Sequence, residues 1–144
     1  MSIALAFARR TADYGETPVG AVVVSPDGKI LGHGHNRREG LRDIASHAEI
    51  EAMRNAANAV GDWRLTDCSL YVTLEPCPMC AGAIIAARVS RVFYGARDEN
   101  GGAVSGNLNM FVEFGGGTEV TGGVLADECG AVLSEFFRGM RNPV

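Results

Sequence analysis

Cys77 and Cys80, with Pro76 before the first and Pro78 between them, constrain this 144-residue chain more than any other feature. Proline is tolerated in the first turn of a helix, where its missing N–H would have no partner, so the pattern predicts a helix opening at Pro78. The run 69–74 is rich in β-branched and aromatic residues and reads as a strand, broken at Glu75-Pro76. One helical turn then sets both sulfurs on the same face. They lie at a helix N-terminus, where unpaired N–H groups and the dipole favour thiolates.

A second helix opens in a similar way. Ser46 reads as its cap, with Glu49 three residues on as in a capping box, and Ile50, Met53 and Ala57 form one apolar stripe over 47–59. Gly61-Asp62 ends it. Ahead of it, 2–13 reads as a first helix, 19–25 as a buried strand and 29–35 as its hairpin partner across Pro26-Asp27-Gly28. An arginine-rich loop spans 36–45. After the Cys77 helix, which reaches residue 87, a strand is expected at 89–95. A glycine-rich stretch to 117, a short strand at 119–121 and an amphipathic helix over 125–138 complete the chain. The order α-β-β-α-β-α-β-β-α predicts an α/β fold, a three-layer α/β/α sandwich around a mixed five-stranded sheet.

Size and composition fit one domain over 1–144, since 144 residues bury enough surface for a core without disulfides. No apolar run approaches the ~18–20 residues of a membrane span. The opening segment places Arg9-Arg10 after its apolar stretch, the reverse of a signal peptide. A cytoplasmic location is therefore expected, with four cysteines kept as thiols and used for metal or catalysis. The formal charge of −4 argues against non-specific coating of nucleic acid. Yet Arg37, Arg38 and Arg42 follow Asn36, and Arg88, Arg91 and Arg97 form an acid-free run, so a local basic rim around a site mouth is expected.

One histidine and two thiolates leave a tetrahedral zinc ion a fourth position for water, the open arrangement of a catalytic centre. His47, Cys77 and Cys80 are thus candidate ligands. Residues two apart on a helix point about 200° apart, so His47 and Glu49 can converge only at the helix end. There Glu49 would shuttle a proton between water and substrate without being a ligand. A Cys-x-x-Cys between strand and helix also fits a thiol redox centre or a structural zinc module, and a bare His-x-Glu is weak. The two motifs together, each opening a helix, favour the metal. His33 and His35 read as structural, and Cys68 and Cys129 as small buried hydrophobes. Asn36 is open between a turn residue and an amide that reads a base edge.

His-x-Glu followed by Pro-Cys-x-x-Cys is the zinc deaminase signature, and the chain resembles the cytidine and deoxycytidylate deaminase superfamily. Its Pro18-Val19-Gly20-Ala21, His47-Ala48-Glu49-Ile50, Leu74–Ala83, Gly95-Ala96-Arg97-Asp98 and Phe136-Phe137-Arg138 segments are most similar to the bacterial tRNA-specific adenosine deaminases. That resemblance implies one Zn²⁺ per subunit on His47, Cys77 and Cys80, with Glu49 as the catalytic proton shuttle. It also implies substrate contacts from Asn36, Ala48 and Asp98, and from Phe137 and Arg141 on a C-terminal helix lining an RNA groove. The implied reaction converts adenosine to inosine at the wobble position of a tRNA anticodon loop, in a homodimer. Two segments depart from the family. Phe114-Gly115-Gly116-Gly117-Thr118 stands where an Asn-His pair is usual, and the tail after Arg141 is only Asn142-Pro143-Val144. Both remove possible RNA contacts and leave a free nucleobase or nucleoside, of guanine or cytosine type, as the alternative substrate.

Overall fold

A computed structural model describes residues 1–143; Val144, the end of the short tail, lies outside the described residues. Eleven elements follow one another in this order: α1 (Ser2–Ala12), β1 (Gly20–Val24), β2 (Ile30–His35), α2 (Arg38–Leu41), α3 (Ala48–Val60), β3 (Ser69–Leu74), α4 (Pro78–Ala86), β4 (Arg91–Ala96), α5 (Met110–Phe114), β5 (Glu119–Thr121) and α6 (Ala126–Arg141). Every expected strand and long helix is present. The differences are two short helices, α2 inside the arginine-rich loop and α5 inside the glycine-rich stretch. Four- and five-residue helices show too little periodicity to be read from sequence. α5 owes its start to Asn109, whose Oδ1 accepts hydrogen bonds from the amides of Phe111 (3.0 Å) and Val112 (3.2 Å).

The sheet runs β2-β1-β3-β4-β5, with β1 antiparallel to both β2 and β3, and β3, β4 and β5 mutually parallel. Side chains alternate across it. Ala21, Val23, Leu70, Val72 and Val92 pack with α3 and α4 residues such as Ala52, Ala56 and Ile84 in the main core. Leu5 of α1 and Cys129 and Val132 of α6 join Ala96 in a smaller cluster. α1 and α6 meet each other on that side, and α3, α4 and α5 meet on the other. That is the expected α/β/α sandwich.

Glycine sets how closely α3 lies on the hairpin. A Cβ on Gly32 would come within 2.5 Å of the Ala56 amide, and one on Gly34 would overlap the Ala48 carbonyl. Only a strand without side chains at those positions lets helix backbone rest directly on it. The buried stripe of α3 is therefore Ala48, Ala52, Met53 and Ala56. The expected stripe of Ile50, Met53 and Ala57 is corrected to this smaller-residue face. Ser46 is not the cap either. His47 takes the cap position in an extended conformation, φ −81° and ψ 156°. The Ser46 hydroxyl instead bonds Asp43 (3.0 Å) and Glu51 (3.1 Å), so Glu49 is released from any capping box.

The topology brings six element ends to one edge. Because β1 runs against β3, its approach at Thr17–Val19 lies beside the end of β3 at Leu74–Glu75 and the end of β4 at Ala96. β2 ends there too, at Asn36, and α3 and α4 both start there. Crevices outside the carboxyl ends of parallel strands are where open α/β sheets hold ligands.

Candidate metal and base site

His47, just before the first turn of α3, and Cys77, the residue capping α4, face one another across that edge. The His47 Nδ1 lies 3.7 Å from Cys77 Sγ and 3.6 Å from Cys80 Sγ. All three candidate ligand atoms fall within 4.8 Å of one another, the only such His/Cys/Asp/Glu group among the described residues. His33 and His35 are outside it. His33 stacks on Phe7 at 4.3 Å, and the His35 Nδ1 sits 3.2 Å from the Asn36 carbonyl, as the structural reading expected. Cys68 and Cys129 are buried elsewhere and reduced.

The donor set fits a tetrahedral metal. Bond lengths of ~2.3 Å to sulfur and ~2.0–2.1 Å to nitrogen imply a nitrogen–sulfur edge of about 3.5 Å, close to both separations here. The electrostatics point the same way. Cys77 is pulled down to about 4, chiefly by its hydrogen bond with Cys80 and against burial, with the His47 ring adding to the effect. Cys80 is pushed far up by sharing that proton and by burial. His47 is raised by its bond to Cys77. Two sulfurs that share one proton and one negative charge beside an imidazole are a donor set from which a divalent cation would displace that proton.

Glu49 is 4% exposed, and burial pushes its carboxyl up to about 7. It stands outside the three-ligand group. As the angular argument required, it meets His47 only because His47 precedes the helix proper.

A cavity of about 130 Å³ opens over these groups, lined by Thr17, Val19, Asn36, Arg38, His47, Ala48, Glu49, Leu74, Glu75, Cys77 and Asp98. That is well below the ~300–1,000 Å³ of drug-sized pockets, and it suits one flat ring system rather than a whole nucleotide. Asn36 is 7% exposed and holds its amide at the wall, with Nδ2 donating to the Thr17 carbonyl and Oδ1 accepting from the Arg38 amide, both at 3.4 Å. Such long bonds leave it able to serve a ligand as well as the turn, so both sequence readings of Asn36 have a basis.

Glu75 is the residue that sequence reasoning missed. There it appeared only as a strand breaker. Its buried carboxylate accepts bonds from the amides of Asp98 (3.3 Å), Val104 (3.2 Å) and Ser105 (3.1 Å) and from the Ser105 hydroxyl (2.5 Å). Burial would raise its pKa, but these donors outweigh that and hold it below the ordinary range. Glu75 thereby ties the 98–105 loop, and Asp98 with it, over the cavity. The one available signal was its place beside Pro76-Cys77, and nothing in the sequence said which backbone it would hold.

The sequence profile of the MafB19-like deaminases matches residues 1–141. A tRNA-specific adenosine deaminase of Bacillus subtilis is 45% identical over 143 residues, 98% of this chain and 88% of the relative. The chain belongs to the deaminase family. The solved structure of a tRNA:A34 deaminase, studied for A-to-I editing at the wobble position, matches the deaminase with a TM-score of 0.88. Their identity is 41%, over 92% of this chain and 97% of that one. A guanine deaminase of Nitrosomonas europaea matches at a TM-score of 0.83 and 26% identity, over 94% and 81%.

Other features of the deaminase lie away from the cavity. Phe137 and Arg141 lie on α6, both exposed, and neither lines the cavity. The Gly115-Gly116-Gly117 segment turns α5 into β5, with φ of 55° at Gly116 and 109° at Gly117. Glu119 pairs with Arg91 at the start of β4, so this departure sits at the far end of the sheet from the cavity. The expected basic rim is corrected on the same ground. Arg38 lines the cavity and Arg97 anchors on Ser105 at 2.9 Å, but Arg88 and Arg91 precede β4 or begin it, about 17 Å away along the strand. Among the described residues no helix is long and apolar enough to cross a membrane.

Proposed function

We propose that the chain, acting as one domain over residues 1–144, is a zinc-dependent enzyme that deaminates adenosine to inosine at the wobble position of a tRNA anticodon loop. The observation that carries the chemistry is a buried, near-neutral Glu49 carboxyl beside a His47–Cys77–Cys80 cage on the floor of a ring-sized cavity. The relatives' substrate supports the choice of tRNA, as does the placement of the glycine turn away from the cavity.

His47, Cys77 and Cys80 would hold the zinc, which when bound supplies Lewis acidity that makes water nucleophilic near neutral pH. The net reaction adds water at the ring carbon bearing the amine and releases ammonia. Glu49 takes a proton from the attacking water and passes it to the adjacent ring nitrogen, then takes the proton of the newly added hydroxyl and passes it to the departing amine, and so ends as it began. Asn36 presents its amide to the base edge, the Ala48 backbone and Leu74 close the walls, and Asp98 sits at the rim on its Glu75-anchored loop. Asp98 is itself fixed by accepting from the Asn100 (3.1 Å) and Gly101 (3.0 Å) amides. A loop adenosine reaches such a floor only when splayed from its stack, as single-stranded targets allow. Phe137 and Arg141 would contact RNA beyond the cavity. Pairing into a homodimer is part of the same reading. Val112 and Phe114 of α5, 76% and 65% exposed, are the exposed apolar side chains that support it. A cytoplasmic location belongs to it as well.

A second reading, deamination of a free guanine-type base, draws on the likeness to the Nitrosomonas europaea enzyme. Ammonia release assayed side by side on an anticodon stem-loop, adenosine, cytidine and guanine separates the two. The stem-loop is expected to be the preferred substrate by orders of magnitude, and guanine as the sole substrate would replace the first reading with the second.

A further inference from the structure

A roomier cavity of about 550 Å³ lies next to the first, on the side of α1 and β2. Its walls include Phe7, Arg10, Tyr14, His33, His35 and Arg37. Phe7 and His33 stack on one another with planes 13° apart, His33 is the exposed ring of the pair, and Tyr14, 75% exposed, lines the same cavity. Arg10 lies in the last turn of α1, and the half-exposed Arg37 reaches Glu51 only at 3.8 Å. The wall has a single carboxylate, Glu16, which turns away to accept from the amides of Glu39 (3.3 Å) and Gly40 (2.7 Å). Rings to stack on and two guanidiniums are the two ingredients of a site for single-stranded nucleic acid.

The two cavities share one ridge. Asn36 and Arg38 face the base cavity while Arg37, between them, faces the outer one, and Thr17 and Glu16 divide in the same way. A strand that drops one base into the inner cavity must pass its neighbouring nucleotide over this ridge. We infer that the outer cavity holds the nucleotide flanking the target adenosine, its base stacked between Tyr14 and the exposed His33 ring that Phe7 backs, and its phosphate between Arg10 and Arg37. The inference rests on the RNA reading above and deepens it.

The test uses anticodon hairpins that are intact or abasic at the nucleotide on either side of the target. With the wild-type protein, removing the base on one side is expected to lower kcat/KM about tenfold. Tyr14→Ala should cost a similar factor on the intact hairpin and make that abasic change silent. Arg10→Gln should make the fall of log kcat/KM with log salt shallower by about 0.7, one phosphate contact. Bound zinc and melting temperature are measured for both variants, and Arg10→Gln serves alone if Tyr14→Ala fails to fold. The subsite is overturned if the Tyr14→Ala and abasic losses multiply instead of overlapping, if both abasic hairpins react like the intact one, or if Arg10→Gln keeps the wild-type salt slope. A wild-type protein that deaminates no hairpin removes the RNA reading itself, a result distinct from any of these.

Discussion

Glu49 and Glu75 are both buried carboxyls within one cavity wall, and their surroundings push them in opposite directions. Glu49 is stripped of water with little to replace it, so its proton is held to about 7 and is available for transfer at neutral pH. Glu49→Gln keeps the shape and removes the exchangeable proton. Turnover is expected to fall about 10²–10⁴-fold while zinc, measured by elemental analysis, stays stoichiometric. Near-normal turnover in that variant would remove the proton-shuttle role. Glu75 is buried too, but three amides and a hydroxyl compensate its charge and lower its pKa. A carboxylate with a folded-state pKa below its unfolded one adds stability that is complete above the unfolded value, about 4.3, and is lost as pH falls through the folded one. Thermal melts should therefore show an acid-side loss of stability below about pH 4.3 that is weaker in Glu75→Gln. That variant should also be about 1.5–3 kcal/mol less stable at pH 7, since bonds to a charged acceptor are the strong ones. Its KM should rise more than its kcat falls, because the change loosens the Asp98 loop and leaves the Glu49 environment in place.

At the scale of elements, the hairpin glycines decide where α3 can lie, and α3 decides where His47 lies. Gly34→Ala would drive a methyl into the Ala48 carbonyl and the Ala52 amide, backbone that cannot rotate aside. The expected cost is about 1–3 kcal/mol, read as a melting temperature lowered by about 5–10 °C, together with weaker zinc retention. Gly130→Ala in α6, where an added methyl meets nothing within 4 Å, should instead stabilise by about 0.5–1 kcal/mol and leave zinc binding unchanged. These glycines also mark what could be read in advance. The strands, the long helices and the clustered residues His47, Cys77 and Cys80 were legible because each rests on local periodicity or on chemistry within a few residues, such as Pro78 at the start of α4. The Ser46 cap was misread because a long-range demand won. His47 must stop short of the helix to turn its ring toward Cys77 and Cys80, and Ser46 is then drawn to Asp43 and Glu51. Glu75 and the short helices α2 and α5 were illegible for a related reason: their partners lie 23–30 residues away, as for Glu75, or their length gives no period.

Across the whole molecule, a chain of net charge −4 must attract a polyanion through one edge while the rest of its surface repels it. Topology chooses the edge. Arg37 and Arg38 follow β2, and Arg97 follows β4, so they gather where the sheet presents its cavity, whereas Arg88 and Arg91 are carried to the other end by the direction of β4. Few phosphate contacts are available there, so the salt dependence of stem-loop deamination should be moderate. Two or three contacts correspond to a slope of log kcat/KM against log salt of about −1.4 to −2. Deamination of free adenosine, an uncharged substrate, should be flat over the same range. Arg38→Gln is expected to reduce the stem-loop slope by about 0.7, and Arg88→Gln, at the remote end, to leave it unchanged. Equal effects from the two substitutions would mean that the chain's net field, and not the cavity edge, steers the RNA. In that case the concentration of arginine at the ends of β2 and β4 would have no part in recognition.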